Sequence, residues 1–174
     1  MGSRSYNNQV QRFFARIRKN HALEHATVHL LSQRYPQRSL IGRSDYRGFF
    51  IYGDVAADTL QSVANEALMR LRNGEAQLAI HPNCGTNLVT SAFLAGSASF
   101  LSLFGSKGDG WRKRLERLPS AIIFALLALF VSQPLGNYFQ RRFTTNADPG
   151  SLEILSTRRI VRGSTSYLRV LTSD

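Results

Sequence analysis

Two long uncharged segments constrain the fold of this 174-residue chain more than any other feature. Residues 85–106 form a run of 22, and residues 118–140 a run of 23, without Asp, Glu, Lys or Arg. A helix needs about 20 apolar residues to cross the ~30 Å hydrocarbon core of a bilayer, so each run is long enough. We therefore predict a two-helix transmembrane hairpin over residues 85–140, with a basic loop at 105–118. The alternative is a hairpin buried in the core of a soluble helical bundle.

The rest of the chain is strongly basic, with 22 Lys and Arg against 11 Asp and Glu. Residues 1–20 carry five basic residues and no acidic one, interleaved with apolar residues at helical spacing. This pattern is typical of an amphipathic helix on an anionic membrane surface, although such a helix can also pack against its own domain. No nucleic-acid recognition motif accompanies the charge. We therefore expect the lipid bilayer and anionic lipid headgroups as partners, and no nucleic acid.

The predicted fold class is an α+β membrane protein. We expect an N-terminal metal-site region at 1–84, the transmembrane hairpin at 85–140, and a C-terminal extramembrane segment at 141–174 that packs on the N-terminal region. The first region combines a His-bearing helix with a small β-sheet and one further helix. The first predicted elements are a helix that ends before Tyr35-Pro36 and strands near Leu40-Ile41 and Phe49–Tyr52. A second helix runs from an Asp54 N-cap to about Arg72, where Asn73-Gly74 closes it, and a strand follows at Gln77–Ile80. Residues 152–161 and 166–171 are predicted to form a C-terminal β-hairpin, or alternatively a strand and a short helix.

Small residues punctuate the first uncharged run. Ser91, Ala95 and Ser99 recur every fourth position, which lets another helix approach closely within lipid. We expect a helix–helix partner on this face. The second run contains Gln133-Pro134, where we predict a kink or a helix end.

The clearest chemical motif is His21-Ala22-Leu23-Glu24-His25, with the spacing H-x-x-E-H. Residues four apart lie on one side of a helix, so both imidazoles can reach one metal ion. Inverzincin metallopeptidases use this order, with the His pair as zinc ligands and the Glu as general base. Two His and a Glu on a helix can also be ordinary polar surface. His29 continues the series but is rotated further round the helix, which makes it a less natural third ligand.

The fourth histidine and the only cysteine lie together in His81-Pro82-Asn83-Cys84-Gly85. This concentration of ligand types favours a metal site built by His21, His25, His81 and Cys84, with zinc the best candidate and another divalent ion the alternative. Four protein ligands would make a closed, structural site, whereas three would leave room for water and for Glu24 as a general base. A metal-free alternative uses Cys84 as a nucleophile beside His81 or His25.

Three segments in register resemble YqhQ-like bacterial membrane proteins, which are described as predicted metal-dependent and uncharacterised. They are His21–His25, the His81–Thr86 turn before an apolar hairpin, and Gln140–Thr145 followed by Asp148-Pro149. Ala22, Leu23, Ala26 and Asn83 depart from that family's pattern, and this chain is shorter, so a smaller related membrane family of unknown function is the alternative. The resemblance implies a membrane location and a metal role for His21, Glu24, His25, His81 and Cys84.

The sequence thus predicts a membrane-anchored zinc protein, with a hydrolase using Glu24 as the leading hypothesis. The alternative is a non-enzymatic membrane scaffold or assembly factor with a structural metal. We expect a multi-pass protein of the bacterial cell membrane or an internal photosynthetic membrane. The five basic residues of the hairpin loop favour a cytoplasmic loop, but the eleven basic residues of 1–84 are hard to translocate. We therefore expect the metal domain to face the cytoplasm.

Overall fold

The computed structural model describes residues 2–104, 110–163 and 165–174. These residues form two compact units, Met1–His81 with Arg141–Asp174 and Pro82–Gln140. The first unit is α+β and the second is helical, which confirms an α+β fold. Lys107 of the predicted basic loop and Ser164 of the predicted C-terminal turn lie outside the described residues.

The first unit pairs two long helices with a four-stranded antiparallel sheet in the order β1-β2-β4-β3. Core residues alternate along the inner face of the sheet, with Phe49 and Ile51 on β2 and Leu168 and Val170 on β4 fully buried. The elements are α1 (Gly2–Arg34), β1 (Ile41–Asp45), β2 (Gly48–Tyr52), α2 (Ala57–Arg72), a short 3-10 helix (Ala76–Ala79), β3 (Glu153–Arg162) and β4 (Thr165–Ser173).

Local sequence signals account for most of these boundaries. Helix α1 ends at Arg34, just before Tyr35-Pro36, as predicted. Helix α2 buries one apolar stripe and ends at Arg72, with Asn73 as its C-cap, after which Gly74 adopts a positive φ of 89°. The C-terminal strands β3 and β4 form the predicted hairpin, and β4 pairs with β2.

Two predicted details are wrong. Gln77–Ile80 is not a strand: residues 76–79 form a 3-10 helix, in which the Ile80 amide donates to the Gln77 carbonyl at 3.2 Å. Asp54 does not cap α2, because the helix begins at Ala57 and Ala56 occupies the N-cap position without a side-chain bond. The Asp54 carboxylate instead lies 3.8 Å from the guanidinium of Arg38.

Half-buried residues of α1 contact the C-terminal part of the same unit. Arg18 donates to the carbonyls of Arg142 and Thr145 at 3.2 and 3.0 Å, and the Asn146 amide donates to the Arg18 carbonyl at 3.0 Å. This part of the basic helix therefore packs against its own domain. The contacts also fix the backbone of residues 142–146 beside the helix.

The second unit is a helical hairpin of α3 (Gly85–Leu103), a short α4 (Trp111–Glu116) and α5 (Leu118–Phe139), followed by a π-helical turn from Gln140. Helix α5 continues through Pro134, so the predicted helix end there is wrong. Polar groups join α3 to α5: Asn87 contacts Asn137 at 3.0 Å, and Ser91 contacts Ser132 at 2.6 Å. Both helices are long and apolar enough to cross a membrane.

Candidate metal centre

The H-x-x-E-H motif lies in the middle of α1, where the helix is enclosed by its own unit. Glu24 and His25 are buried, and His21 is half-buried. The His21 and His25 rings lie with their centroids 4.3 Å apart, as expected for residues one helical turn apart. The predicted juxtaposition of the two imidazoles is present in the structure.

Backbone carbonyls orient both rings. His21 Nδ1 lies 3.0 Å from the Thr144 carbonyl oxygen, and His25 Nδ1 lies 2.8 Å from that of Ala79. Because a carbonyl only accepts hydrogen bonds, Nδ1 is the protonated nitrogen in each neutral ring and Nε2 carries the lone pair. Metal-ligating histidines are typically oriented in this way.

The Nε2 atoms of both rings are directed towards the Glu24 carboxylate. Glu24 Oε2 lies 3.8 Å from His21 Nε2 and 4.0 Å from His25 Nε2. These distances are too long for hydrogen bonds, which are about 2.7–3.2 Å. Two ligands of one tetrahedral zinc ion, each bound at about 2.0–2.2 Å, lie roughly 3.3–3.5 Å apart. Glu24 Oε2 thus lies slightly further from each Nε2 than two ligands of one zinc ion lie from each other.

His81 joins this group from the segment after the 3-10 helix. Its ring centroid lies 5.8 Å from that of His25, so three of the four predicted ligands come from this one unit. Cys84 occupies the N-cap position of α3 in the second unit, and its thiol is buried. His29 Nε2 lies 3.0 Å from Gln33 Nε2.

Burial sets the protonation states of the centre. Burial raises the pKa of Glu24 to about 7, against the opposing effect of the positive charge on His21. Burial lowers the pKa of His81 to about 4, and the charges of His25 and His29 add to that effect. At neutral pH His81 is therefore an unprotonated imidazole, which is the form that binds metals.

Gly42 on β1 packs directly against Glu24, a contact that the sequence analysis did not identify. A Cβ atom at position 42 would lie 2.5 Å from Glu24 Cδ and 2.9 Å from Cγ. Only glycine leaves room for the carboxylate here. A glycine inside a strand is a known sign of close approach, but the strand predicted near Leu40-Ile41 did not include Gly42, which lies within β1.

The Ala79 and Thr144 carbonyls were also missed. They are backbone groups, and their contribution depends on the 3-10 helix and on the segment after α5. No residue type marks such a position in a sequence. The paired Thr144 and Thr145 of the family resemblance thus lie where one main-chain oxygen contacts His21.

Comparisons with known proteins identify the family. Residues 16–157 match the model of a domain of unknown function, DUF6391. An uncharacterised protein of the cyanobacterium Picosynechococcus sp. is 37% identical over 147 aligned positions, which cover 74% of this chain and 65% of that protein. The aligned region thus spans slightly less than two thirds of the relative. No solved structure matches the chain.

These comparisons confirm an uncharacterised family of unknown function, and they do not establish the resemblance to YqhQ-like proteins. The matched region includes His21, Glu24, His25, His81 and Cys84. Because the family model covers most of the sequence, the chain belongs to the DUF6391 family.

Proposed function

We propose that this protein is a membrane-anchored, zinc-dependent protein in which Glu24 acts as the general base of a hydrolase. The observation that carries the proposal is the placement of Glu24 Oε2 3.8 Å from His21 Nε2 and 4.0 Å from His25 Nε2 inside a buried site. Two imidazole lone pairs are donors that suit zinc, and a carboxylate about 4 Å from both can take a proton from a water molecule held between them. Another divalent ion with imidazole affinity is the alternative.

The proposed ligands are His21, His25, His81 and Cys84. The first two donate through Nε2, because their Nδ1 atoms contact carbonyls. Cys84 follows His81 by three residues, so their Cα atoms lie within about 11 Å of each other whatever the turn between them. A thiolate with two or three imidazoles is a common zinc ligand set.

Glu24 has the properties of a general base in this site. When bound, zinc lowers the pKa of a coordinated water molecule to about 7. The pKa of Glu24 is itself raised to about 7 by burial, so its carboxylate can take up and release a proton near neutral pH. Gly42 leaves the space that the carboxylate needs.

A non-enzymatic scaffold or assembly factor is the second candidate, favoured by the number of available donors. Three histidines and one cysteine are enough to close a tetrahedral site, and a closed site is structural. Glu24→Gln separates the two functions. Retention of zinc with loss of the cellular function supports the enzyme, whereas retention of both supports the scaffold.

We also propose that α3 and α5 cross the membrane as a hairpin. In the most apolar 18-residue stretch of each helix, only 6% of α3 and 11% of α5 is buried, whereas a core helix of a soluble bundle would be mostly enclosed. Large side chains such as Phe93, Leu101 and Phe130 are at least 71% exposed. The bacterial cell membrane or an internal photosynthetic membrane is the proposed location, with the metal centre facing the cytoplasm. Ser91 of the small-residue face, which also carries Ala95 and Ser99, contacts Ser132 of α5, so we propose that α5 is the helix partner of this face.

Metal analysis of the detergent-purified full chain tests the proposal. We expect about one zinc per chain in the wild type and a large loss in His25→Ala. His29→Ala is the matched control, because it removes the same side chain one turn further along α1 and should retain the metal. Equal metal content in the wild type and His25→Ala would refute the ligand assignment.

A further inference from the structure

The first turns of α1 carry an aromatic patch that the metal centre does not use. Tyr6, Val10, Phe13 and Phe14 recur at helical spacing and are 68%, 37%, 45% and 58% exposed. The turn between β1 and β2 extends this surface, because the Tyr46 ring stacks on Phe13 with centroids 4.9 Å apart and planes 14° apart. We call these five residues the aromatic patch. Two separate elements of the unit thus build one exposed apolar surface.

Positive charge surrounds the aromatic patch. Arg16 lies over the Tyr46 ring at 4.5 Å and donates to the Thr172 carbonyl at 2.7 Å. Arg18 likewise donates to backbone carbonyls. A carbonyl accepts a hydrogen bond without neutralising the guanidinium, so both residues keep their charge. Lys19 is paired with a carboxylate, that of Asp174 at 2.8 Å.

We propose that the aromatic patch lies on the surface of an anionic bilayer. Aromatic side chains would enter the boundary between headgroups and acyl chains, and the arginines would contact lipid phosphates. Each basic residue near such a surface strengthens binding about fivefold. Residues 1–20 contain no acidic residue to oppose this attraction.

Charge also argues against a second copy of the chain as the partner. A two-fold contact would bring the same patch on both copies together, and with it two sets of arginines for which residues 1–20 offer no acidic partner. Like charges across an interface are strongly unfavourable. An anionic membrane offers the opposite sign and, if the hairpin is anchored as proposed, is always present. The inference rests on the proposed membrane anchoring and is independent of the metal centre.

Tryptophan fluorescence of the full chain in vesicles tests the inference. The only tryptophan is first removed by Trp111→Phe, and Phe14→Trp then places a single reporter in the aromatic patch. Asn8→Trp in the same background is the matched control, because Asn8 is exposed on the opposite side of the helix. Each protein is reconstituted into phosphatidylcholine vesicles with and without phosphatidylglycerol, and quenching by brominated lipids is measured.

We expect blue-shifted emission and strong quenching for Phe14→Trp in the anionic vesicles, with little quenching for Asn8→Trp. The quenching should fall several-fold in phosphatidylcholine alone or at high salt. A blue shift that persists in detergent and is insensitive to brominated lipids would show a protein partner and overturn the inference. Equal quenching at both positions would also overturn it. Failure of the protein to insert into any vesicle would instead refute the proposed membrane anchoring.

Discussion

Glu24→Gln should remove a pH-dependent loss of stability from the metal-free protein. Burial raises the pKa of Glu24 from 4.5 to about 7, so the folded state holds the proton more tightly than the unfolded state. The carboxyl therefore begins to cost stability as the pH rises above its ordinary value, and the full cost is reached above the folded pKa. Glutamine has the same shape and no charge, so it carries no such cost.

The size of the effect follows from the two pKa values. Each factor of ten in the ionisation constant is worth about 1.4 kcal/mol, so fully ionising Glu24 in the folded protein costs about 3 kcal/mol. At pH 5 the cost is about 1 kcal/mol, because the carboxyl is then almost fully protonated in the folded state and still partly protonated in the unfolded state. The stability gained by Glu24→Gln should thus grow by about 2–3 kcal/mol between pH 5 and pH 8. For a chain of this size that corresponds to roughly 5–10 °C in the melting temperature.

The assay compares the thermal unfolding of wild type and Glu24→Gln, both treated with a chelator, at pH 5 and pH 8. The lowered pKa of His81 has the opposite effect on stability, because it makes the folded state more stable as the pH rises from about 4 towards 6.5. It is present in both proteins and cancels in the comparison. Glu153→Gln, at an exposed carboxylate on β3, is the control and should follow the wild type. A stability difference between wild type and Glu24→Gln that is the same at both pH values would refute the assigned burial of this carboxylate.

Two glycines give further predictions, with Gly96→Ala as the shared control because, apart from the adjacent backbone of its own helix, no atom of the described residues lies within 4 Å of a Cβ placed there. Gly42→Ala should displace the Glu24 carboxylate. Thermal unfolding should show a loss of stability of about 1–3 kcal/mol, and competition with a chelator should show zinc binding weakened about 10–100-fold. Gly136→Ala should lower the stability of the helical hairpin by about 1–3 kcal/mol, because a Cβ would lie 2.9 Å from Asn87 Cγ and 3.1 Å from its Cα. Unchanged unfolding of Gly136→Ala would contradict the close approach of α3 and α5.

The sequence predicted elements whose residues carry local signals. Proline at position 36 and Asn73-Gly74 set helix ends correctly, since their effect on the backbone does not depend on the rest of the fold. The strand predicted at Gln77–Ile80 failed because a four-residue apolar segment fits a buried turn as well as a strand. Leu78 and Ala79 are indeed buried, but within a 3-10 helix. Only the tertiary fold decides between these two forms.

In the candidate site, too, local sequence patterns predict some features and only the tertiary fold decides the others. The spacing of His21, Glu24 and His25 predicts that their side chains converge, because helical periodicity alone brings them together. The close packing of Gly42 on Glu24 and the Ala79 carbonyl on His25 depend on which elements pack against α1. Those contacts are formed between residues distant in sequence, so no local pattern contains them.

The long carboxylate–imidazole distances bear on the choice between the proposed metal centre and an ordinary buried polar cluster. A polar cluster stabilises a protein when its members hydrogen-bond directly, because an unsatisfied buried group costs about 1–3 kcal/mol. Glu24 Oε2 lies 3.8 Å from His21 Nε2 and 4.0 Å from His25 Nε2, so it hydrogen-bonds to neither. The Thr144 and Ala79 carbonyls instead contact the Nδ1 atoms of the two rings. Histidines in metal sites are oriented in the same way, with Nε2 as the ligand atom, so this arrangement favours the proposed metal centre.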